Sequence, residues 1–93
     1  MSVLIDIGNG HQIKWRAFEG DEHSMLEIHH RRTNGAPCRS HIPIVGGAWA
    51  REFTPGSVFG WDMVSIEPLT LAPSILCGCG DHGFIRGGRW VPA

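Results

Sequence analysis

The chain has 93 residues, of which 42% are apolar and 18% are charged, and its formal net charge is −1. This length fits one domain over residues 1–93, whose thin core calls for a further stabilising element such as a metal ion. A nearly neutral chain exerts no strong overall field, so composition argues against nucleic acid or an anionic membrane as a partner. The longest uncharged stretch, residues 68–80, is too short for a membrane span, and Asp6 interrupts the first apolar run. We therefore expect neither a membrane helix nor a signal peptide.

The N-terminal third of the chain predicts consecutive strands. A short aliphatic run at residues 3–7 is followed by Gly8-Asn9-Gly10, a strong turn signal, and then by the alternating pattern of residues 11–18. These residues predict a β-hairpin. Residues 25–30 predict the next strand, in which Leu26 and Ile28 share one face.

The rest of the chain predicts short strands separated by glycine and proline turns. Residues 42–45 contain Pro43, which places them at a sheet edge, and residues 48–53 and 58–61 are weaker strand candidates. Pro73 interrupts the apolar run 69–76, and residues 83–85 and 89–91 predict a closing hairpin. No window keeps a helical apolar period over about ten residues, so no helix is predicted. The predicted fold class is mostly β, a small antiparallel β domain stapled by one zinc site.

The cysteines point to a metal ion rather than to disulfides. There are three, and an odd count in a chain expected to be cytosolic argues against a disulfide framework. Cys38 and His41 repeat the C-x-x-H spacing of Cys79 and His82, and two ligands separated by two residues can converge from one tight turn. Two such pairs supply the four nitrogen or sulfur ligands of a tetrahedral zinc ion. The sequence therefore predicts zinc bound by these four residues.

Alternatives to this ligand set remain open. Cys77 forms a C-x-C motif with Cys79, and a site of Cys77, Cys79, His82 and one distant histidine is the main alternative. His29 and His30 are candidates to replace either member of the first C-x-x-H pair. A site closed by four protein ligands makes the zinc structural, whereas three ligands leave a position for water and hydrolytic chemistry.

Asp81 lies between Cys79 and His82 and is interpreted as a residue that caps the turn. An acceptor behind the metal ligands and a catalytic base are the alternative roles. A basic patch of Arg31, Arg32 and Arg39 is interpreted as a solvated loop, because no aromatic stacking platform accompanies it in the sequence. The chain's four tryptophans are most simply assigned to the core.

Three segments of the C-terminal third carry a family resemblance: residues 68–76, residues 79–85 with their Cys/His element, and residues 88–90. Together with Trp61 they resemble the C-terminal half of a family of small bacteriophage and prophage proteins of uncharacterised function. Some of those proteins carry the label ammonia monooxygenase, although nothing in this chain resembles an oxygenase site. The resemblance implies a phage origin, a bound metal and a location in the host cytoplasm or the virion.

Related proteins of that family often carry a cysteine-rich element in their N-terminal half, which would complete a zinc site with the C-terminal Cys/His element. Here that half offers Cys38, with His29, His30 and His41 nearby. The resemblance implies no reaction.

These observations lead to three functional hypotheses. The first is a small zinc-binding phage accessory protein that acts as a protein-interaction module and contacts a host or virion protein. The second is a virion structural component, packed into a capsid or tail. The third is a small zinc-dependent hydrolase, which needs an open position on the metal.

Overall fold

The computed structural model describes residues 3–56 and 60–93. Within those residues the chain is mostly strands, with one six-residue helix and connecting turns. In chain order the elements are β1 (Ile5–Gly8), β2 (His11–Phe18), β3 (Asp21–Arg31), β4 (Pro37–Pro43), α1 (Ala48–Phe53), β5 (Asp62–Ile66), β6 (Leu69–Ala72), β7 (Ile75–Leu76), β8 (His82–Arg86) and β9 (Arg89–Pro92).

The first four strands form one antiparallel sheet in the order β1-β2-β3-β4. Asn9 and Gly10 close the first hairpin with φ angles of 52° and 75°, in the left-handed region that asparagine and glycine tolerate best. The hairpin predicted from the turn signal is thus confirmed. The strand that holds Pro43 lies at the sheet edge, also as predicted.

The two faces of this sheet differ sharply because side chains alternate along each strand. The inner face is buried, and it carries His11, Ile13, Leu26, Ile28, His30 and Ile42. The outer face carries mostly polar and charged side chains, namely Gln12, Lys14, Arg16, Glu27, His29, Arg31, Arg39 and His41.

The C-terminal strands complete the core against the inner face. Strands β5 and β6 form a hairpin, and β7, β8 and β9 form a three-stranded antiparallel sheet. Ile75, Ile85 and Trp90 join the apolar side chains of the first sheet in one buried cluster. The chain breaks between β6 and β7 at Pro73, and the closing hairpin forms, as predicted from the sequence.

The segment Ala48–Phe53 is a helix, so its prediction as a strand was wrong, and so was the expectation of no helix. Its N-terminal backbone N–H groups are satisfied from a distant strand: Asp21 Oδ2 accepts from Ala48 N at 3.0 Å, and Ser24 Oγ accepts from Trp49 N at 2.8 Å. The Ala48 hydrogen bond is the main cause of a lowered pKa at Asp21. A helix this short depends on such tertiary contacts, which no local pattern reveals.

Two further expectations concern the same part of the chain. The strand predicted at residues 58–61 falls largely outside the described residues; Trp61 itself forms an isolated bridge with Ile44. Among the described residues, none of the helices has the length and apolar character that a membrane span requires.

Candidate metal centre

Four nitrogen and sulfur ligands converge at one end of the sheet. His30 comes from β3, Cys38 from β4, and Cys77 and Cys79 from the turn after β7. Their ligand atoms all lie within 4.8 Å of one another. The Sγ atoms of Cys38 and Cys77 are 3.5 Å apart, and Cys79 Sγ is 3.9 Å from His30 Nε2. This group could hold a metal ion.

The spacing fits a tetrahedral site. With metal–sulfur bonds of about 2.3 Å, the edges of a tetrahedron are about 3.8 Å long, close to the two separations above. Three thiols and one imidazole are also a donor set typical of closed zinc sites. These two separations and the donor set therefore suit a small tetrahedral ion.

Strand pairing explains how two of the ligands meet. His30 and Cys38 are direct partners in the β3–β4 register, so their side chains project from the same inner face. The other two ligands flank a tight turn, in which Gly80 N donates to Cys77 O at 2.9 Å and Cys77 N donates to Asp81 O at 2.8 Å. Gly80 has a φ of 98°, a conformation that glycine adopts readily.

The thiols differ in acidity. Burial by itself would raise the pKa of Cys77, but hydrogen bonds from the Cys79 backbone N–H and the Ser40 hydroxyl outweigh it and lower the pKa to about 6. The Ser40 Oγ–Cys77 Sγ distance is 3.0 Å. The hydrogen bond between Cys38 and Cys77, together with burial, raises the pKa of Cys38. Because thiol ligands must lose their protons, the lowered pKa of Cys77 favours metal binding and the raised pKa of Cys38 opposes it.

A carboxylate lies behind the histidine ligand. While His30 Nε2 faces the thiols, its Nδ1 is 3.6 Å from Asp81 Oδ2. The same oxygen lies 2.6 Å from Nε2 of His11, whose Nδ1 donates to Asn9 O at 2.7 Å. The His11 ring stacks between His30 and Trp90, with centroid distances of 5.1 and 4.0 Å. Ring stacking and the carboxylate together hold the orientation of His30.

The side chain of Asp81 therefore lies behind the ligand group as an acceptor for His30. This is one of the alternative roles that the sequence left open for Asp81. We expect Asp81→Asn to weaken metal binding by about 10–100-fold, the usual effect of losing a carboxylate behind a histidine ligand. Competition with a chromogenic chelator measures this change. Asp62→Asn, at an exposed acid on β5, is the matched control. Equal affinity in both variants would contradict the orienting role.

The structure brings Cys38, Cys77 and Cys79 together but places His41 and His82 elsewhere. His41 is three residues after Cys38 in an extended strand, so it projects from the opposite, outer face. His82 begins β8, and its Nε2 lies 3.0 Å from Ser74 Oγ. The first pair is therefore separated by the pleat of β4, and in the second pair His82 contacts Ser74 at the start of β8.

His30 is the ligand that the paired motif did not include. It was a candidate substitute only, although its position supplied a signal: it continues the alternation of Leu26 and Ile28 and is therefore directed inward.

Comparison of the chain with protein-family models, with curated proteins and with solved structures finds no match. The resemblance to phage proteins thus stays a prediction.

Proposed function

We propose that this chain is a small binding domain whose fold is held by one structural zinc ion at His30, Cys38, Cys77 and Cys79. The observation that carries the proposal is the convergence of four nitrogen and sulfur ligands from three separate segments at tetrahedral spacing. Thiolate and imidazole ligands in this geometry favour zinc over magnesium or calcium. A domain of this size gains substantially from such a staple.

The completeness of the ligand group argues for a structural rather than a catalytic metal. Hydrolytic zinc sites keep one position for water, whereas four protein side chains fill a tetrahedral ion. Supporting groups behind the ligands, Asp81 and His11, are engaged with His30 and with each other. The hydrolase hypothesis therefore receives no support from this geometry.

The partner remains the one proposed from the sequence, a host or virion protein. In its favour, strand β5 exposes apolar side chains: Met63, Val64 and Ile66 are 36%, 66% and 45% exposed. Exposed apolar residues on a strand are a frequent feature of protein contact surfaces. The same strand would serve a virion component equally well, so both hypotheses of phage origin remain proposals.

Metal content tests the proposal. We expect one zinc ion per chain, measured by elemental mass spectrometry on protein purified without added metal and passed through a metal-free gel-filtration column. One iron ion in place of zinc would keep the site and change the metal. A folded, metal-free protein would contradict the structural role.

A further inference from the structure

The outer face of the first sheet gathers cations that the net charge conceals. Lys14 and Arg16 lie on β2, Arg31 on β3 and Arg39 on β4, which is half of the chain's eight lysines and arginines. His29 and His41 share this surface, which we call the cationic face. Glu19 lies in the β2–β3 turn and Glu22 at the start of β3, so the cationic face is confined to the part of the sheet between Arg16 and Arg31.

One buried carboxylate anchors these cations. Glu27 is 1% exposed and lies 3.3 Å from Arg16 Nη1 and 3.5 Å from Arg39 Nη1. Burial alone would raise its pKa, but Arg16, Arg39 and Lys14 outweigh burial and hold the pKa below the ordinary value. The two arginine side chains remain 56% and 55% exposed. The face therefore stays positive, and its arginines are held in position with free N–H groups towards solvent.

An aromatic pocket adjoins the cationic face at its Arg16 end. The pocket has a volume of about 670 Å³ and shares Arg16 and His41 with the face. Its aromatic lining comes from β2, from α1 and from the residue before β5, namely Phe18, Trp49, Phe53 and Trp61. Phe53 is 57% exposed, so part of this lining faces solvent. The fold thus supplies beside the arginines the aromatic platform that the sequence did not reveal.

We infer that the cationic face and the aromatic pocket together bind single-stranded nucleic acid, with phosphates on Lys14, Arg31 and Arg39 and a base in the pocket. Surfaces that bind single strands combine cations with aromatic side chains. The aromatic rings stack on the flat faces of the bases, and the cations contact the charged phosphate linkages. From the level of Arg16, which is paired with Met25, to Arg31 the face extends over seven residues of β3, about 20 Å, enough for several nucleotides. This inference goes beyond the proposed function and does not depend on zinc identity.

Fluorescence anisotropy of a fluorescein-labelled oligo-dT, on the metal-loaded protein, tests the inference. Three phosphate contacts predict about 20-fold weaker binding between about 50 and 200 mM salt. We expect Lys14→Ala/Arg39→Ala to weaken binding at least about tenfold at the lower salt and to flatten this salt dependence. Phe53→Leu should weaken binding about tenfold through lost stacking and leave the salt dependence unchanged.

The matched control is Arg86→Ala/Arg89→Ala, which removes the same charge from two exposed arginines at the β8–β9 turn. Circular dichroism and metal content must match the parent in each variant. Failure to bind oligo-dT at low salt overturns the inference, as does an equal loss in the control. Displacement of oligo-dT by poly-L-glutamate at the same charge concentration would assign the face to an acidic protein instead. Normal binding by Phe53→Leu would refute the base contact.

Discussion

Replacement of Cys77 by serine should abolish zinc binding and unfold the domain. Among the proposed ligands Cys77 has the lowered pKa, and its Sγ lies 3.5 Å from Cys38 Sγ. A hydroxyl is a poor substitute for a thiolate on zinc. The binding free energy of a structural zinc ion contributes directly to the free energy of folding. Loss of the ion should therefore cost about 5 kcal/mol or more, which exceeds the net stability of a small domain.

The contrast with His82→Ala makes this test decisive. His82 belongs to the C-x-x-H motif but contacts Ser74 instead of the thiols, so its removal should leave one zinc per chain. Metal content and the thermal transition, followed by circular dichroism, are measured on both variants. The pairing expected from the sequence predicts the reverse result. Zinc retained in Cys77→Ser and lost in His82→Ala would restore that pairing and overturn the ligand group described above.

Gly83→Ala should strongly destabilise the domain although it adds a single methyl group. A Cβ at Gly83 would lie 2.5 Å from Cε2 and Cζ2 of Trp90, far inside van der Waals contact. Trp90 is 3% exposed and stacked on His11, so the indole has no free space into which to move. Overpacking of this kind destabilises by about 1–3 kcal/mol.

In a domain of this size, each kcal/mol of stability lost through Gly83→Ala lowers the melting temperature by about 4–8 °C. Gly78→Ala is the control, because a Cβ at Gly78 meets no atom within 4 Å although the residue lies between two ligands. Thermal unfolding of the two metal-loaded variants provides the comparison. If the two melting temperatures agree, the close packing of Trp90 on Gly83 does not limit stability.

Turn residues and prolines in the sequence predicted the structural elements that depend on neighbouring residues alone. The first hairpin follows from Gly8, Asn9 and Gly10, and the break between β6 and β7 follows from Pro73. The helix α1 could not be predicted this way, because its first N–H groups donate to the side chains of Asp21 and Ser24 in strand β3.

The candidate site shows the same division. The sequence indicated that Cys38 and Cys79 would meet, but neither ligand set derived from it joined all three cysteines. The identity of the histidine was not, since it depends on the strand register that sets His30 opposite Cys38 and on the pleat that turns His41 away. The cationic face is likewise a product of register: Lys14, Glu27 and His41 are cross-strand neighbours although 13 and 14 residues separate them in sequence.

A metal ion at the proposed site would also change the connectivity of the molecule. Cys38 and Cys77 are 39 residues apart, and α1, β5, β6 and β7 lie between them. A bound ion therefore closes this stretch into a ring, in the way a disulfide does, and restricts the unfolded chain correspondingly. A protease that cuts once at the exposed end of α1, near Phe53, would open the ring without parting the molecule. The two fragments would separate on addition of a chelator and would stay together under a reductant too weak to compete for the metal.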